Sequence, residues 1–134
     1  MNRNLLAVTL LLGTAFLSLS AQEGHPLAGS WHGTWGVDKA TRTDLTVVLD
    51  WDGQTITGLV NPGFDQAPIE NAKLTPKGWI VHFEVNLKDS TGKALRCVAD
   101  GNIDKLGSDR RTLAGTWNCG AVKADFQLTR DRDY

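Results

Sequence analysis

The sequence predicts an all-β fold, an eight-stranded antiparallel up-and-down β-barrel, with a two-sheet β-sandwich as the alternative. Apolar and polar residues alternate with period two in successive short segments, which is typical of strands with one buried face. Tight-turn sequences such as Asp52-Gly53 separate several of these segments, as expected for consecutive hairpins. A meander of this length has exposed edges unless it closes, so we expect the eighth strand to pair with the first.

The first three predicted strands each place their apolar residues on one face. Strand one covers Leu27–Val37, and strand two covers Leu45–Trp51. Asp52-Gly53 is a preferred pair for a two-residue type I′ turn, because both positions tolerate a positive φ. This turn pairs Trp51 with Gln54 and starts the third strand directly afterwards.

Strands four and five are predicted at Ile69–Leu74 and Trp79–Lys88. Between them, Thr75–Gly78 suits a type I turn, with proline second and glycine fourth. This turn pairs Leu74 with Trp79 and Glu70 with Phe83, so Glu70 points into the barrel. A β-bulge in strand four is the alternative, and it would turn Glu70 outward.

The last three strands lie within Leu95–Leu128 and contain both cysteines. A register that pairs Cys97 with Cys119 puts the apolar residues of strands six and seven on one face and the polar residues on the other. The same register also pairs Ala99 with Trp117, Gly101 with Gly115 and Ile103 with Leu113. A turn at Gly120-Ala121 then pairs Trp117–Ala124, Gly115–Phe126 and Leu113–Leu128.

Residues 1–21 have the features of a secretory signal peptide, which leaves residues 22–134 as a single domain. Arg3 is basic, Leu5–Leu17 is apolar, and Ser18–Ala21 supplies small residues for cleavage. Export places the protein in the periplasm or outside the cell, where two cysteines more often form a disulfide than a metal or redox site. We therefore expect a Cys97–Cys119 disulfide and no integral membrane segment after cleavage.

The charge pattern argues against several kinds of partner. Removal of Arg3 leaves 13 basic and 15 acidic residues with no basic run, so neither nucleic acid nor an anionic membrane is expected to bind. The outer face of strand five carries His82, Glu84, Asn86 and Lys88, which would be costly to bury between subunits. We therefore expect a monomer.

The sequence contains no recognisable motif for catalysis or metal binding. Its three histidines lie on separate segments without metal-ligand spacing. It also lacks a phosphate-binding loop and a Gly-x-Ser-x-Gly nucleophile turn. The prediction is therefore no catalytic residue, no metal and no cofactor.

The candidate binding site is an aromatic mouth at one end of the barrel. Alternation turns all five tryptophans inward, where they either fill the core or wall an apolar site for a small molecule. Trp35 and Trp117 lie near the end that carries the Pro- and Gly-containing loop Asn61–Pro68. We expect a ligand to stack on one of these two rings. Phe64 would lie on the loop above, and Glu70 would be the polar contact if it faces inward.

The Leu-x-Gly-x-Trp pattern at Leu27–Trp31 and Leu113–Trp117 resembles avidin and streptavidin and, more loosely, lipocalins. This resemblance extends to the meander, the inward tryptophans and the lid-like loop, and it implies a calycin-type barrel. Avidin-like proteins bind biotin through an Asn and a Ser after the first Trp; His32–Val37 has neither, so biotin binding is not implied. A second resemblance is to small exported bacterial lipocalin-like modules, and it rests on the segments Ile56–Gly58, Pro68-Ile69 and Asp125–Arg130. This resemblance implies no specific activity.

Three functions remain open at this point. The first is an exported, non-enzymatic barrel that binds a small, partly apolar molecule or a glycan in its mouth. The second is a protein-interaction module, an inhibitor or an envelope component, with a filled barrel and an exposed apolar patch. The third is an enzyme with a barrel-mouth site, which requires convergent polar groups inside.

Overall fold

The computed structural model describes residues 25–61, 63 and 65–131. The predicted signal peptide and Phe64 lie outside these residues. The described chain forms eight strands, β1 to β8, in sequence order: Gly29–Gly36, Thr43–Trp51, Ile56–Val60, Ala67–Thr75, Ile80–Lys88, Ala94–Asp104, Thr112–Cys119 and Val122–Arg130.

The strands form one closed antiparallel barrel in which each strand pairs with its sequence neighbours and β1 also pairs with β8. The predicted up-and-down barrel is therefore confirmed, and the sandwich alternative is wrong. Across the closing seam, Trp35 lies opposite Phe126 and Gly33 opposite Leu128. Closure leaves no outer strand without a neighbour on each side.

Inward-facing side chains pack into a single apolar core. Trp31, Leu45, Val47, Leu113 and Phe126 are among its fully buried members. Phe83, Trp117 and Phe126 meet edge to face, with ring centroids 5.9 to 6.5 Å apart, an arrangement that the ring quadrupoles favour. No polar or charged residue is buried within the described chain.

The register of β6, β7 and β8 is as predicted, from Cys97–Cys119 to Leu113–Leu128. The two sulfurs lie 2.08 Å apart, at bonding distance, and the Cα atoms are 4.1 Å apart. The predicted disulfide pair is therefore present, joining the adjacent strands β6 and β7 across the inner face of the barrel.

The β2–β3 hairpin differs from the prediction by two residues. Trp51 lies opposite Ile56 rather than Gln54, which leaves a four-residue connection at 52–55. The Asp52 carboxylate accepts hydrogen bonds from the backbone N–H groups of Gln54 and Thr55 at 2.8 and 2.7 Å. This side-chain turn stabilises a longer loop than the two-residue turn would. A shift of two residues preserves which face each side chain occupies.

The β4–β5 register departs from the prediction in two places. The turn lies one residue later than predicted, with Thr75 opposite Ile80, and a β-bulge in β4 shifts the register again farther from the turn. Leu74 lies opposite Val81, whereas Glu70 lies opposite Glu84, and the register shifts between Glu70 and Lys73. Asn71 takes a positive φ of 53° within the bulge. The extra residue turns Glu70 to the outer surface, as the bulge alternative predicted.

Candidate functional site

The residues predicted to form the mouth are only partly brought together. Trp35 and Trp117 are in contact, with ring centroids 6.2 Å apart, but Trp117 is 0% exposed within the packed core. A ligand could reach the Trp117 ring only by displacing its neighbours. Phe64 lies outside the described residues.

Glu70 lies on the outer wall of the barrel, so the inward orientation that its proposed role required is not observed. Its carboxylate accepts a 2.8 Å hydrogen bond from Nη1 of Arg96. Asn86 also donates to Glu70, at 3.4 Å. Glu70 is therefore part of a surface network rather than a polar contact inside the barrel.

The seam between β3 and β4 is the place where the barrel wall opens. Only two residue pairs join these strands in the described chain, Leu59–Pro68 and Val60–Ala67. Beyond them, β3 continues to pair with β2 on its other side, and β4 continues to pair with β5. The bulge at Glu70–Lys73 bends β4 at this point, because an extra residue on one strand kinks it locally.

A cleft of about 480 Å³ lies where the two strands part. This volume falls within the ~300–1,000 Å³ that is usual for small-molecule sites. Its position is the barrel end that carries the β2–β3 and β4–β5 turns, opposite the predicted mouth. The cleft is lined by His25, Trp51, Gln54, Thr55, Ile56, Ala72, Lys73, Leu74, Thr75 and Pro76.

Trp51 and His25 supply the aromatic part of the cleft. The Trp51 ring is 39% exposed and stacks on the His25 ring, with centroids 4.6 Å apart and an interplanar angle of 20°. The backbone N–H of Leu27 donates to His25 Nδ1 at 3.2 Å, which leaves Nε2 as an N–H donor in the neutral ring. Burial lowers the pKa of His25 below its ordinary value, which favours that neutral form.

The remaining lining combines an apolar floor with a polar rim. Ile56, Ala72 and Leu74 are buried or half-buried and belong to or pack against the core. Lys73 is the one charged side chain of the lining, and Gln54 and Thr55 add an amide and a hydroxyl. A few polar groups around an apolar floor can orient a ligand that is mostly apolar.

Sequence reasoning missed His25 and Lys73 as site residues, although it placed Trp51 on the inner face. One signal was available: in a meander, the segment before β1 and the β2–β3 and β4–β5 turns all lie at one barrel end. The separation of β3 and β4 left no comparable signal, because the short segment Glu70–Lys73, where the bulge lies, has no clear alternation of polar and apolar residues.

A charged network covers the outer face of β4, β5 and β6, and its His82 lies directly opposite Lys73, which also lines the cleft. His82 lies between two carboxylates, with Nδ1 2.6 Å from Asp100 and Nε2 3.0 Å from Glu84. Hydrogen bonds to Glu84 and Asp100 raise the pKa of His82. Hydrogen bonds from His82 and then Arg96 lower the pKa of Glu84 to about 2. Each of these charges has an opposite partner, so the network holds adjacent strands together.

Comparison of the chain with known protein families, curated proteins and solved structures finds no match. The closed eight-stranded antiparallel barrel is compatible with the calycin-type fold that the Leu-x-Gly-x-Trp pattern implied. Within the described segments, no helix has the length and apolar character needed to cross a membrane.

Proposed function

We propose that this protein is an exported, non-enzymatic β-barrel that binds a small, partly apolar molecule or a glycan in the cleft between β3 and β4. The observation that carries the proposal is the Trp51 indole, 39% exposed in the wall of a cleft of about 480 Å³. His25 covers one face of this indole, and the exposed remainder offers an aromatic surface on which a planar ring or the apolar face of a sugar can pack.

Export is part of the proposal, with the periplasm or the extracellular space as the destination. It is supported by the basic, apolar and small-residue succession in residues 1–21 and by the disulfide between Cys97 and Cys119. Disulfides persist in oxidising compartments and are rare in reducing ones.

A protein-interaction module is the second candidate, favoured by the packed interior and by the parted strands. In the described chain, no register pair joins residues 56–58 of β3 to residues 69–75 of β4. Strand edges that face a gap can accept an extended segment from a partner through backbone hydrogen bonds. On this alternative the cleft would hold a peptide rather than a small molecule.

A ligand screen with two matched variants tests the small-molecule proposal. Trp51→Phe removes the indole of the cleft, and Trp35→Phe removes the indole of the predicted mouth. We expect stabilising compounds among small aromatic acids, alcohols and sugars to raise the melting temperature of the native protein. Trp51→Phe should weaken their binding about tenfold or more, whereas Trp35→Phe should leave it unchanged.

The outcomes separate the alternatives. Loss of binding in Trp35→Phe alone would return the site to the opposite barrel end. If no compound binds but extended peptides protect the amides of β3 from hydrogen exchange, the interaction module replaces the small-molecule proposal. Near-native melting temperatures of both unliganded variants are needed before binding losses are attributed to the lost indole.

A further inference from the structure

The charge of the cleft narrows the class of ligand, an inference that rests on the proposed function. Lys73 brings one positive charge to the lining, and none of the ten lining residues is Asp or Glu. The lining therefore carries a net positive charge, whereas the full chain has a formal net charge of −1. An anionic group is therefore the ligand charge that this cleft can neutralise.

The carboxylates nearest in sequence to the lining are already engaged elsewhere. Asp52 accepts hydrogen bonds from the backbone of Gln54 and Thr55 in the β2–β3 loop. Glu70 is held by Arg96 on the outer face, at 2.8 Å. Lys73 lies opposite His82 on β5, and the two carboxylates beside that histidine, Glu84 and Asp100, are paired with it. No hydrogen bond or ion pair links any of these four carboxylates to Lys73 in the described chain.

Hydrogen-bond donors line the same space. The tautomer of His25 set by the Leu27 N–H leaves an imidazole N–H donor, and Gln54 and Thr55 contribute an amide and a hydroxyl. His25 covers one face of the Trp51 indole, and the exposed remainder of the indole is the surface that a ligand ring can contact. The lining thus combines the Lys73 ammonium, several hydrogen-bond donors and an aromatic surface. These groups are complementary to a flat ring that carries a negatively charged hydrogen-bond acceptor.

We infer that the ligand of this cleft is a small ring carboxylic acid, with its ring on Trp51 and its carboxylate paired with the Lys73 ammonium. A single carboxylate on a one- or two-ring body also matches the volume of about 480 Å³. Neutral sugars and amides fill the same space without the ion pair, so they bind more weakly.

Matched acid and amide pairs test this inference on the full mature protein. The probes are benzoic acid with benzamide and indole-3-acetic acid with indole-3-acetamide, measured by calorimetric titration at pH 7 and low salt. We expect each acid to bind about tenfold tighter than its amide. Because ion pairs are screened, added salt should reduce the affinity for the acid more than that for the amide.

Three lysine variants test the role of the Lys73 charge. Lys73→Met should abolish the preference for the acid, and Lys73→Arg should retain it. Lys77→Met removes a lysine of the adjacent turn that does not line the cleft, and it should keep the preference. Melting temperatures close to that of the native protein would show that each variant is folded.

The failures of the two proposals are distinguishable. Equal binding of acid and amide at a site that Trp51→Phe disrupts would overturn the acid inference and leave the binding function standing. Preference for acids that survives in Lys73→Met would also overturn it. If acids, amides and sugars all fail to bind the native protein, both proposals are rejected.

Discussion

Glycine at position 115 is required by the approach of two backbones. Gly115 lies opposite Gly101, and a Cβ atom added to Gly115 would be 2.0 Å from the Asp100 carbonyl oxygen. A Cβ added to Gly101 would be 2.4 Å from the Ala114 carbonyl oxygen and 3.1 Å from Cζ of Phe126. The paired glycines thus let β6 and β7 come close together and make room for the Phe126 ring.

We predict that Gly115→Ala destabilises the protein by about 1–3 kcal/mol, the range for overpacking a close-packed site, because the clash is with backbone rather than a flexible side chain. Gly107→Ala is the matched control, since an added Cβ there meets no atom within 4 Å. Urea unfolding of both variants measures the difference. Equal free energies of unfolding for the two variants would contradict the close approach.

His82 and Glu84 give the network a defined pH dependence. The pKa of His82 is raised in the folded state, so its contribution to stability is complete below about 6.5, the unfolded value, and is lost as the pH rises through the folded pKa. The pKa of Glu84 is lowered to about 2. Its contribution is therefore present above its unfolded value and is lost as the pH falls through 2.

We predict that His82→Gln lowers the free energy of unfolding most between pH 5 and about pH 6.5 and progressively less at higher pH, because Gln carries no proton to release. Chemical denaturation of both proteins at several pH values between 5 and 9 measures this. A difference that is constant over this range would show that His82 is not stabilised in its charged form by Glu84 and Asp100.

At the scale of the elements, the strand register was predicted correctly where more than one feature of the hairpin sequence required it. In β6 and β7, the cysteine pairing and the sorting of polar from apolar residues both required one register. In β2 and β3, alternation alone could not distinguish registers that differ by two residues. The turn stabilised by Asp52 favours the register that pairs Trp51 with Ile56 over the predicted pairing with Gln54.

The candidate site was harder to predict because it arises where two neighbouring strands separate. The bulge in β4 reverses the face of Glu70, and periodicity in a short polar segment carries no information about it. Trp51 was correctly placed on the inner face, but its exposure depends on the missing pairing between β3 and β4. Pairing geometry of this kind is a tertiary property rather than a local one.

The disulfide between β6 and β7 has a calculable effect on stability. It joins residues 22 apart in sequence, so in the chain-entropy description it stabilises the fold by about 3 kcal/mol through restriction of the unfolded chain. We predict this loss in the Cys97→Ala and Cys119→Ala double variant, measured by urea denaturation.

Mass measurement after alkylation without reductant checks the bond itself. We expect no added alkyl group on the protein purified without reductant, and two added groups after reduction. Alkylation of both cysteines before reduction would rule out the bond.

At the scale of the whole molecule, the outer face of β5 argues for a monomer. His82, Glu84 and Asn86 are occupied by partners within the same chain, and an interface there would have to desolvate this network. For residues 22–134, the chain without the predicted signal peptide, we predict a molecular mass near 12 kDa by light scattering, scaled from 14.6 kDa for the full sequence. A salt-resistant tetramer would disprove this.

Barrel closure by β1 and β8 also has a kinetic consequence. Seven of the eight seams join strands that are consecutive in sequence, whereas the closing seam joins residues as far apart as Ala28 and Arg130, whose contact is 2.7 Å. The β1–β8 seam has the largest loop-closure entropy cost, because nearly the whole chain lies between its two strands. We therefore expect the amides of this seam to be the last to gain protection from hydrogen exchange during refolding.

Circular permutation would move that late step. The two ends of the described chain already lie side by side, since the N–H of Asp131 donates to the Ser30 carbonyl at 2.8 Å. If a short linker joined them and the chain were opened at Gly120-Ala121, β1–β8 would become a local hairpin and β7–β8 the distant pair. The last amides to be protected should then be those bonded across the β7–β8 seam, whereas those bonded across the disulfide-linked β6–β7 seam should be protected before them.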